Sequence, residues 1–106
     1  MFFRKYLFLL EIEEISIICS KPYGFELLIL FYNQTHNNCD TGVEDTYKRL
    51  RFNKSQRPAY INFLNELEQR GIILRQQSQL KKSKILLRLN KNLMNEIDQL
   101  LKIGDH

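Results

Sequence analysis

Cysteine and histidine are scarce: Cys19, Cys39, His36 and His106 are all that 106 residues provide. Neither pair has the spacing of a metal knuckle, so no zinc set is expected. The thiols stand twenty positions apart, which suits two unligated cysteines in a reducing cytosol better than a disulfide. Glycine is scarce too, with four in all, and no phosphate loop, dinucleotide-binding turn or nucleophile elbow can be built from them. Paired carboxylates such as Glu13 and Glu14 sit on the flank of an apolar stretch, where solvation is the simpler role. The expectation is a protein that is not an enzyme and carries no cofactor.

Long apolar runs are also missing. Nothing nears the roughly twenty residues that a membrane helix needs. The opening MFFRKYLFLL begins like a signal peptide, but Glu11, Glu13 and Glu14 interrupt it and no small-residue cleavage site follows. A soluble, cytoplasmic chain without a membrane partner is expected.

What the sequence does have is uneven charge. The net value is +4. From Tyr47 to Leu89, however, eleven lysines and arginines face only Glu66 and Glu68, a local balance of +9; the remainder, with five basic and ten acidic residues, balances at −5. A basic centre between acidic ends suits a polyanion partner. A merely solvated basic surface would give the same totals, so the elements must be placed.

The length fits one domain, 1–106. Residues 2–19 read as a helix apolar on nearly every side, with charge only at Arg4, Lys5, Glu11, Glu13 and Glu14; the β-branched cluster 15–19 would also suit a strand. Ser20 to Gly24 form a turn. FELLILFY centres a buried helix over 24–33, and NQTHNNCD is a polar loop in which His36 is exposed. A short helix at 42–51 carries acids in its first turn and bases in its last, as its dipole prefers, with Val43, Tyr47 and Leu50 on one face.

The most informative stretch is Ser55 to Leu89. A helix at 55–70 starts with Ser55 as its cap and Pro58 in its first turn, and Tyr60, Phe63, Leu64 and Leu67 share a face. Gly71 suits a left-handed stop, with Ile72 packing back on the last turn. A hairpin at 72–89 follows: Ile85, Leu87 and Leu89 form its apolar face, alternating with Lys84, Leu86 and Arg88, and QQSQLKKSK is a solvated tip. Asn90 then caps a helix at 91–103 that ends at Gly104 and has a stripe of Leu93, Met94, Ile97, Leu100 and Leu101. The expected class is mainly α with a β-hairpin wing, a winged helix-turn-helix whose turn is Arg51 to Lys54.

The phrase LNELEQRGIILR, the basic loop after it, and ILLRLNKNLMNEIDQLL resemble the MarR/SarA winged-helix regulators, in which "L-E-x-x-G-hydrophobic-hydrophobic-x-R" closes the recognition helix. FELLILFY falls where that family keeps its buried second helix, and QRPAYI resembles the SarA-type start of the recognition helix. The likeness covers about Tyr23 to Leu101. It implies a transcriptional regulator that binds double-stranded DNA. The apolar first helix and the striped last helix suggest a homodimer, with 1–19 and 91–103 contributing to the dimer interface. The wing-tip acid and arginine common in that family are replaced here by Lys81-Lys82-Ser83-Lys84, and Cys19 lies too late in its segment to take over an oxidation-sensing role.

On this plan Gln56, Arg57 and Asn62 read bases from the first turns of the recognition helix, since Arg grips guanine and Gln or Asn adenine. Lys54 and Ser55 hold phosphate at the helix start. Lys81, Lys82 and Lys84 follow the backbone or minor groove from the wing. Two other readings use the same fold: a winged helix that docks proteins, and a plasmid or phage replication factor.

Overall fold

Residues 7–103 are described in the structure, a computed structural model. After a helical turn at 7–10 come α1 (Glu13–Ile18), α2 (Gly24–His36), α3 (Val43–Arg49), α4 (Arg57–Gln69), β1 (Ile73–Gln77), β2 (Ile85–Leu89) and α5 (Lys91–Ile103). The expected mostly helical chain with one hairpin is what forms. β1 and β2 pair antiparallel, with Ile73 opposite Leu89 and Gln77 opposite Ile85.

The core is assembled by side chains at helical spacing. Leu27 and Phe31 of α2, Tyr60, Leu64 and Leu67 of α4, and Ile73 and Leu87 of the hairpin are all fully buried. Ile15 and Ile18 close one side of this cluster, and Leu93, Met94 and Ile97 of α5 another. Burying one such aliphatic side chain contributes roughly 1.5–3 kcal/mol, so these contacts rather than helix propensity hold the elements together. Tyr60 keeps its hydroxyl satisfied by donating to the Val43 carbonyl at 2.9 Å, which joins α4 to the start of α3.

Several local expectations hold. Gly71 adopts φ +74, a conformation that favours glycine. The Gly71 N–H bonds Glu68 O and the Ile72 N–H bonds Leu67 O, both at 2.9 Å, which is the paired closure of a left-handed helix stop. Asn90 does cap α5, its Oδ1 accepting the N–H of Asn92 at 2.7 Å. The Gly104 stop and residues 2–6 lie outside the described residues.

Other expectations need correction. The single helix over 2–19 is broken, because residues 11 and 12 form a turn and bend between the turn at 7–10 and α1. α2 runs on to His36, through three residues expected in a loop beyond 33. Tertiary bonds keep that last turn helical: Gln34 is buried and accepts from Thr46, and Thr35 Oγ1 accepts the Leu89 N–H at 2.9 Å. α4 begins two residues after the expected start at Ser55. Its cap position is Gln56 and no side chain closes it; the Ser55 hydroxyl points to Gln56 O at 3.3 Å instead.

The hairpin differs most. β2 was expected to bury one face, yet Leu86, Leu87, Arg88 and Leu89 are all buried and Ile85 is exposed. The reason is a cover supplied by residues before α3. Gly42 bridges Leu86 in antiparallel fashion, and Leu87 donates its N–H to Thr41 O. The approach is so close that a Cβ on Gly42 would meet Ile85 O at 2.6 Å. Beneath this cover Arg88 donates to Cys39 O at 2.5 Å and to Asn38 Oδ1 at 3.3 Å.

Candidate nucleic-acid interface

The first turn of α3 holds the site together. Two consecutive carboxylates there, Glu44 and Asp45, reach in different directions. Glu44 accepts from Arg57 at the start of α4, through Nε at 2.8 Å and through Nη2. Asp45 accepts from Lys84 Nζ at 2.8 Å and from the Gly42 N–H at 3.0 Å. Lys84 also lies 3.5 Å from Asp40. The start of α4 and the base of the wing are therefore fastened to neighbouring residues. Hydrogen bonding from Arg57 holds the Glu44 carboxyl below its ordinary range; the Lys84 bond, then the Gly42 N–H, do the same for Asp45.

Around the start of α4, Gln56, Arg57, Pro58, Ala59 and Asn62 are exposed. They lie opposite Tyr60, Phe63 and Leu64, as the helical period requires. With no side chain at the cap, the first-turn N–H groups and the positive end of the helix dipole are left to an external acceptor. Lys54 stands beside this end, its Nζ 4.4 Å from the centre of the Tyr47 ring. Tyr47 in turn donates to Ser55 O at 2.7 Å, fixing the chain as it enters the helix.

The wing tip is better ordered than a solvated loop. Ser78, 3% exposed, is its hub. Its hydroxyl donates to Asp40 at 2.6 Å and accepts the N–H groups of Leu80 and Lys81, both at 3.1 Å. Gln77 donates to Lys82 O at 2.9 Å. Lys81 and Lys82 are thereby presented outward on a tied loop, beside an exposed Leu80. Nothing in a polar tract of glutamine, serine and lysine singled out Ser78 as buried.

Of the expected site residues, Lys54, Ser55, Gln56, Arg57 and Asn62 share one end of α4, and Lys84 joins them through α3. Lys81 and Lys82 extend from Lys84. Pairing divides the eleven basic residues of the central stretch. Arg57, Arg70, Arg75 and Lys84 bond carboxylates, and Arg88 is buried. Lys48, Arg49, Arg51, Lys54, Lys81 and Lys82 make no salt bridge among the described residues, though the charge of Lys48 acts on Glu44 and Asp45. Lys48 and Arg49 at the far end of α3, and Arg51 in the turn after it, are not among the expected site residues and do not belong to the start of α4 or to the wing; the run KRLR marks them in the sequence.

Among the described residues no group of histidine, cysteine or acidic side chains could hold a metal ion, and no helix is long and apolar enough to cross a membrane. Burial pushes the Cys19 thiol upward, away from the reactive thiolate. Set against known proteins, the chain matches no family model, no curated protein and no solved structure.

Proposed function

We propose that this chain is a winged helix-turn-helix transcriptional regulator of the MarR/SarA type, which binds double-stranded DNA as a homodimer. α3 and α4 form the helix-turn-helix, α4 enters the major groove and the β1–β2 hairpin is the wing. The observation that carries the reading is the joint at Glu44 and Asp45, which sets the open start of α4 and the lysine-bearing wing side by side. Arg57 and Gln56 read bases; Lys54 and the free first-turn N–H groups hold phosphate; Lys81 and Lys82 follow the backbone. Glu44 keeps Arg57 oriented in the absence of DNA and releases it to a guanine edge.

The dimer supplies the second half-site. Phe8 and Ile12 form a shallow hollow with Gln99 and Leu100 of α5, and Leu7, the residue before Phe8, is 63% exposed. Two copies meeting there would bury apolar surface on the acidic side of the chain and leave the basic side for a duplex.

Binding to a random duplex pool, measured across salt, tests the proposal. Neutralising about six phosphates per dimer lowers affinity roughly a thousandfold between 50 and 200 mM salt. Arg57→Ala should relax sequence preference in the selected sites, while Lys82→Ala should weaken every duplex alike. A flat salt response, or no shift of any duplex at micromolar protein, overturns it.

A further inference from the structure

A second surface lies where α2 passes the far end of α3. Here Ile29 and Leu30 of α2 and Phe52 of the following turn line a groove of about 540 Å³. Ile29 is 44% exposed and Phe52 67%. Such exposure of an aromatic ring usually reflects a mobile loop, but this turn is tied down. Both oxygens of Glu26 accept the Arg51 N–H, at 2.9 and 3.0 Å, and one also accepts the Phe52 N–H at 3.0 Å. The backbone that carries the exposed ring is therefore anchored to α2.

Positive charge predominates around the groove. Lys48, Arg49 and Arg51 line it, and none makes a salt bridge among the described residues, although the charge of Lys48 also acts on Glu44 and Asp45 one turn back. Glu26, the only acid in the lining, already spends its oxygens on backbone N–H groups. An apolar floor under a ring of cations is the complement of a peptide with the opposite plan, acidic along its length with apolar anchors on one face. Duplex DNA would satisfy the cations and waste the floor, because a phosphodiester chain has nothing to place on Ile29 and Phe52.

We propose that this groove docks an acidic segment of a partner protein, with a leucine or phenylalanine of that segment seated between Ile29 and Phe52. Lys48, Arg49 and Arg51 pair with its carboxylates, and Phe52 is the anchor that distinguishes it from any other polyanion. This surface shares no residue with those proposed to contact DNA at the start of α4 and on the wing, so it is tested independently of the DNA reading.

Fluorescence anisotropy on the full chain decides the matter with three labelled probes. One is a short helical peptide with glutamates on one face and leucine or phenylalanine on the other. The second is that peptide with every apolar residue replaced by serine, and the third is a duplex. The first peptide should bind at least about tenfold tighter than the second, and Phe52→Ser or Arg49→Glu should each cost it about tenfold. Duplex affinity should change less than about threefold in Phe52→Ser, and unfolding should be unaltered, since the ring is exposed. Ile29→Asn provides a second variant on the opposite wall, with the same expected loss. Equal binding of the two peptides, or indifference of the first to Phe52→Ser and Ile29→Asn, overturns the proposal. So does a result in which neither peptide binds and the same substitutions weaken the duplex, which would make the groove a phosphate surface.

Discussion

Arg88 brings a guanidinium into a place only 6% exposed, where its donors go to the Cys39 carbonyl and to Asn38. Replacing it with methionine keeps the volume but leaves that carbonyl without a partner. A loss of about 1–3 kcal/mol in urea unfolding is expected. The sequence placed Arg88 correctly in the alternation of β2 but assigned it to solvent, because alternation cannot say that residues 38–42 will fold over the second face. Tyr32 gives a pH-dependent counterpart. Its hydroxyl donates to Asp98 at 2.5 Å, and this bond, followed by burial, pushes its pKa up to about 12. The neutral phenol is thus favoured by folding. Its contribution is complete below the ordinary value near 10 and is lost as pH rises towards 12. Urea unfolding followed from pH 9 upward should fall less steeply in Tyr32→Phe than in the parent.

At the scale of elements, the uncapped start of α4 is the main departure from what local chemistry would choose. Ser55 looked like the cap because it precedes the apolar period at the right distance. The chain instead spends its carbonyl on Tyr47 and starts the helix two residues later. Putting serine at the true cap, Gln56→Ser, should raise stability by about 0.5–1 kcal/mol. If Gln56 reads a base and the open N–H groups hold phosphate, the same change weakens DNA binding, a measurable exchange of affinity for stability. Other elements were readable to different depths. The period of α4 and α5, the Gly71 stop and the Asn90 cap are local devices, and each forms where expected. The end of α2 did not, because Asn33 and Thr35 favour turns by composition while Thr35 is held in the helix by β2, fifty-four residues away.

For the whole molecule, the exposed apolar side chains fall into two groups, those among the basic residues and those away from them. Phe52 and Leu80 stand among the cations of the turn after α3 and of the wing, whereas exposed Phe8 lies beside α5 with Glu11 and Glu96, and Leu7 next to it in the chain is exposed too. Light scattering should therefore report a dimer at micromolar concentration, and Leu7→Ser with Phe8→Ser should shift it to monomer without lowering helicity. A parent that is monomeric throughout removes the two-fold reading. The sequence conveyed the excess of positive charge over Tyr47 to Leu89 but not its partition, since which cations are neutralised depends on carboxylates brought in from Asp40, Glu44 and Asp45 by folding. That clasp has a geometric consequence. Because Val43 and Asp45, in the first turn of a seven-residue helix, hold Tyr60 of the reading helix and Lys84 of the hairpin, the interval between the two is a fixed gauge that outlasts the release of Arg57. On the DNA reading, the chain would be exacting about how far apart its two points of grip fall along a duplex, and indifferent to the bases lying between them.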